Sequence, residues 1–70
     1  MYDEYGLREE IKRKLREVMK IQNRSALEDM ANYCLHTIDD MGKRGHYDGL
    51  RRSFGTGYAI KIIIKEIYEK

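Results

Sequence analysis

The 70-residue chain has no proline, no tryptophan and one cysteine. Each gap closes off a class of protein. Cys34 alone cannot make an intrachain disulfide, and a lone cysteine suits a reducing compartment. No proline, repeat or low-complexity tract marks a linker or a domain boundary. Apolar runs stop at three residues, as at Ile62–Ile64, where a bilayer span needs roughly 20. The opening MYDEYGLREE has neither a basic n-region nor an apolar h-region, so no signal peptide is expected. Together these absences predict a soluble, cytoplasmic protein that does not enter a membrane.

Groups that carry chemistry are also scarce. Nucleophilic catalysis needs a nucleophile, a base and an orienting group. Cys34 sits in an apolar stripe, where a thiol is normally inert. His36 and His46 are the only histidines, and no glycine-rich nucleophile elbow accompanies them. In CLHTIDD, His36 and Asp40 stand one helical turn apart, while Cys34 points away with Ile38. Ligands that do not converge cannot hold a metal. No enzyme activity, cofactor or metal site is expected.

Seventy residues make one domain, expected to run over 1–70. A domain this small buries only roughly 60% of the surface its unfolded chain exposes. Disulfides, a metal or self-association usually support such folds. With the first two set aside, self-association is expected.

Charge is plentiful but segregated. Charged residues are 37% of the chain, yet the net charge is +2. Residues 8–24 hold seven basic and three acidic side chains; residues 25–41 hold four acidic ones and no Lys or Arg. The stretch KRGHYDGLRRSFGTG, residues 43–57, carries four basic residues, one acid and four of the six glycines.

The apolar spacing predicts helices. Leu7, Ile11, Leu15, Val18 and Met19 share one face of a helix over about 4–23. Asp3 and Glu4 suit its start, Lys20 and Arg24 its end, and Glu9–Arg13 and Glu10–Lys14 are favourable i,i+4 pairs. Leu27, Met30, Ala31, Cys34, Ile38 and Met41 form the next stripe, over 26–41. A Ser25–Glu28 capping box opens it, and Gly42 suits a left-handed C′ position. Tyr47, Leu50 and Phe54 allow a short docking helix within the glycine-rich stretch, although Gly49 opposes it. Ile60, Ile63, Ile64 and Ile67 share a face of a last helix over 57–69, with Thr56 as its N-cap. The isoleucines would also suit a strand, but no second strand exists in the chain to pair with it. The expected fold is all-α: three helices, with a long, basic, glycine-rich loop before the last.

Two surfaces could take a partner. Six tyrosines cannot all be core in so small a domain, and tyrosine favours interfaces. Ile62 lies opposite the inward isoleucines, with Tyr58 one turn back. Ile62, Tyr58, Tyr33 and Tyr47 are therefore the expected protein-contact residues, and a homodimer through the last helix is expected. The alternative is a polyanion such as nucleic acid. Arg13, Arg16, Lys20 and Arg24 would stripe the first helix, while Arg44, Arg51 and Arg52 line the loop. Gly55-Thr56-Gly57 behind Arg51 and Arg52 could also hold an anion, although a turn with a threonine cap is the simpler reading. The expected function is a small helical regulator, inhibitor or adaptor acting by protein contacts, with nucleic-acid binding as the alternative.

Overall fold

Among the described residues, four helices form rather than three. The computed structural model describes residues 4–69, with side chains from residue 6 onward. The expectations for Tyr2 and Asp3, and for the side chains of Glu4 and Tyr5, lie outside that range. The elements are α1 (Glu4–Met19), α2 (Arg24–Asp40), α3 (Arg44–Phe54) and α4 (Thr56–Tyr68), with no strand among the described residues.

α1 is a turn shorter than its pattern implies. Lys20 takes a left-handed backbone, φ 58°, which ends a right-handed helix. The chain then folds Ile21 onto the core. Asn23, not Ser25, caps α2: its side chain accepts a hydrogen bond from the Ala26 N–H at 2.9 Å. An Asn cap satisfies one of the four N–H groups a helix start leaves free. The expected Glu9–Arg13 and Glu10–Lys14 pairs give way to pairs three apart among the described side chains of α1, beside an Arg8–Glu9 contact at 3.8 Å. Lys12 meets Glu9 at 3.2 Å and Arg13 meets Glu10 at 2.8 Å, while Lys14 turns forward to Glu17 at 3.2 Å.

Most of the expected glycine-rich loop is α3. Glycine opposes helix by about 1 kcal/mol per residue, and packing overrides it here. Tyr47 is 4% exposed and Leu50 packs on the core. The Glu66 carboxylate of α4 accepts from His46 at 2.7 Å and lies 3.5 Å from the Lys43 ammonium. Arg51 and Arg52 occupy the last turn of α3, where cations complement the helix dipole. The flexible part shrinks to two corners. Gly42 (φ 73°) follows α2 and Gly55 (φ 97°) joins α3 to α4, at angles where a side chain would be strained. Gly55, rather than Thr56, is the N-cap residue of α4, and no side chain caps that end.

One apolar cluster joins all four helices. Ile11, Leu15, Ala31, Cys34, Ile38, Ala59, Ile60, Ile63 and Ile64 are fully enclosed, and Leu7, Leu27 and Tyr47 nearly so. α1 packs along α2, and α3 along α4. Met41 departs from its stripe: it caps α2 and is 68% exposed. No helix among the described residues is long and apolar enough to cross a membrane.

Candidate functional site

An exposed aromatic pair lies at the α3–α4 corner. α3 ends at Phe54, Gly55 turns the chain, and α4 begins, so the Phe54 ring meets Tyr58 with centroids 4.9 Å apart. Phe54 is 61% exposed and Tyr58 46%. Ile62 follows Tyr58 by one turn, half-buried and outside the core cluster. Lys61 and Lys65, both exposed, share that face of α4, since residues three and four apart are neighbours. The result is an apolar ridge, Phe54–Tyr58–Ile62, edged with positive charge.

Tyr47 is not part of any such surface. Its ring is enclosed in the core, because α3 is a helix and turns that face inward. Burial pushes its phenol pKa up, against opposing effects of Arg51 and a hydrogen bond with Thr56. Tyr33 is exposed on α2 and lies against Tyr68, ring centroids 6.2 Å apart. Phe54, expected to dock inward, is outside, as are Lys61 and Lys65, which the sequence reading passed over. The four-residue steps from Phe54 to Tyr58 to Ile62 were visible, but Gly55 interrupts the helix that would have made them a pattern.

The polyanion candidates fall into two groups that the fold does not join. Arg13 pairs with Glu10. Arg16, Lys20 and Arg24 are exposed without an ion-pair partner among the described residues. They do not form one helical stripe, because Lys20 leaves the helix and Arg24 begins α2. Arg44, Arg51 and Arg52 lie on α3, exposed, with Arg51 3.8 Å from Asp48. α1 and α3 do not pack on each other. Inward-leaning cations are otherwise engaged: Arg8 and Lys12 both hold Glu28 across the α1–α2 seam, Lys12 at 2.7 Å, and Arg8 also donates to Asn32. Hydrogen bonds from Lys12 and Arg8 hold the Glu28 carboxyl below its ordinary range.

α2 presents the opposite charge. Asp29, Tyr33, His36 and Asp40 are exposed along it, with His36 Nδ1 2.6 Å from an Asp40 oxygen. Beside them is a depression of about 450 Å³ lined by Asn32, Leu35, His36, Asp39 and Asp40. Asp39 Oδ1 is buried there with no hydrogen-bond partner among the described residues. No three His, Cys, Asp or Glu side chains among the described residues converge as a metal would require. Cys34 is fully buried, its thiol 3.9 Å from the Tyr68 hydroxyl, and burial pushes its pKa up to about 11. The Tyr68 hydroxyl in turn donates to the Met30 carbonyl at 3.4 Å.

No family model, no curated protein and no solved structure matches this chain.

Proposed function

We propose that this is a small, non-enzymatic helical protein that works by contact with another protein, as a regulator, inhibitor or adaptor, through the Phe54–Tyr58–Ile62 ridge. The observation that carries the reading is the solvent-exposed Phe54–Tyr58 pair. Aromatic rings supply most of the energy at protein interfaces when they enter a partner's pocket. Lys61 and Lys65 beside the rings select a partner with negative charge around an apolar recess. A cytoplasmic setting accompanies the proposal, since the one thiol is buried and unpaired. The test is affinity capture from the native cell with the wild type and a Phe54→Ala/Tyr58→Ala variant of equal helicity. The expected result is a defined protein retained by the wild type and lost by the variant. Equal retention by both would overturn the assignment.

A second reading rests on Arg16, Lys20 and Arg24, whose exposed charges have no ion-pair partner among the described residues. Such side chains suit phosphates, whose contacts carry affinity but no sequence information. Lys20→Glu with Arg24→Glu then weakens binding to any DNA or RNA in a low-salt gel shift. A wild type that retards neither nucleic acid removes this reading.

A further inference from the structure

We infer that the basic ridge at the α3–α4 corner of one copy docks onto the acidic face of α2 of the next, so that the chain assembles head to tail. This rests on reading the ridge as a protein contact and specifies its partner as a second copy. Both halves of the contact are present on one molecule. The giving half is Phe54, Tyr58, Lys61 and Lys65, aromatic and positive. The receiving half is the depression on α2, where Leu35 supplies apolar surface, Asp39 and Asp40 supply negative charge and Tyr33 stands exposed alongside. Asp40 is exposed on that face, so its carboxylate can meet a neighbour's lysine as well as His36.

Charge decides between the two ways of self-pairing. A symmetric dimer through α4, as the sequence reading expects, sets Lys61 and Lys65 of one copy against the same residues of the other. Like charges facing each other across an interface are repulsive. Pairing α4 with α2 places opposite charges together. Such a contact is heterologous, leaving one ridge and one acidic face free at the two ends, so assembly continues into rings or open chains.

The area predicts weak contact. Phe54 and Tyr58 at 61% and 46% exposure offer roughly 200 Å² of aromatic surface, taking about 200 Å² for each whole side chain. A standard interface takes about 800 Å² from each partner. Association in the range of roughly 10 µM to 1 mM is expected, weakening as salt is raised.

The test uses two variants, one blocked on each face: Lys61→Glu/Lys65→Glu and Asp39→Asn/Asp40→Asn. None of these side chains belongs to the core cluster, and circular dichroism checks that each variant keeps its helices. In sedimentation, the wild type is expected to form species that grow with concentration. Each variant alone should associate at least about tenfold more weakly. An equimolar mixture should form a dimer and stop there, because the first variant keeps an intact α2 face and the second an intact ridge. A wild type that stays monomeric to about 1 mM overturns the head-to-tail contact; loss of a captured partner in the ridge variant would still leave the broader protein-binding assignment standing. Association of the wild type without rescue in the mixture also overturns it, in favour of a different interface.

Discussion

Cys34 and Lys20 show how a single position departs from its solution behaviour. The Cys34 thiol is enclosed by the core, and burial disfavours its charged form, raising its pKa from 9.0 to about 11. Only the thiolate reacts. Native protein should therefore react with a thiol reagent far more slowly than denatured protein at pH 8, as a mass-spectrometric time course would read. Equal rates would contradict the burial. Lys20 holds a left-handed backbone without being glycine, which costs an ordinary residue roughly 1–2 kcal/mol. Lys20→Gly removes that strain but loosens the unfolded chain. The net expectation is a gain of about 0.5 kcal/mol in urea unfolding, and a loss would mean that the Lys20 side chain makes a stabilising contact.

At the scale of the element, α3 is the weakest helix by composition and the most dependent on its neighbour. Gly45 and Gly49 lie inside it, and a Cβ at either would meet nothing within 4 Å. Their backbone φ is not left-handed, so alanine fits without strain. Gly45→Ala and Gly49→Ala should each raise stability by about 0.5–1 kcal/mol in urea unfolding, because alanine lowers the entropy of the unfolded chain. Gly55→Ala is the contrast: at φ 97° it should destabilise, since the turn from Phe54 into α4 needs a left-handed residue. If all three behaved alike, the α3–α4 corner would not have the geometry described.

For the whole molecule, the two helix pairs are joined by the core, while charge contributes along their seams. Glu28 is held below its ordinary range first by the Lys12 hydrogen bond and then by Arg8; Glu66 is lowered first by His46, with Lys43 adding to it. A carboxylate whose folded pKa is depressed contributes stability above its unfolded value, near 4.5, and loses it as pH falls through the folded value. Stability should therefore change little on this account between pH 7 and about 5 and then decline as pH drops below 4.5. Glu28→Gln should lower neutral stability and flatten the acid decline. An acid titration followed by circular dichroism reads both, and an unchanged profile in the variant would show that the pair adds nothing. The exposure of these groups keeps the effect small.

Helix formation and the inward faces were legible in the sequence because they follow from local spacing. Leu7, Ile11 and Leu15, Leu27, Ala31 and Cys34, and the α4 isoleucines repeat at helical steps, and burying such a stripe is what stabilises a helix. Gly42 as a helix stop was equally local, since few residues tolerate its backbone angle. What only tertiary structure decided depends on contacts between distant segments. α3 exists because Tyr47 enters a core built by the other helices and Glu66 meets His46 and Lys43 from across the hairpin; taken alone, its glycines favour a loop. The same event moved Tyr47 from expected surface to core and left Phe54 outside on Tyr58. Arg8 and Lys12, indistinguishable by type from Arg16 and Lys20, were drawn to Glu28, sixteen or more residues away. Sequence spacing places a side chain on a face of its own helix. Only packing determines whether that face meets the core, an opposite charge or water.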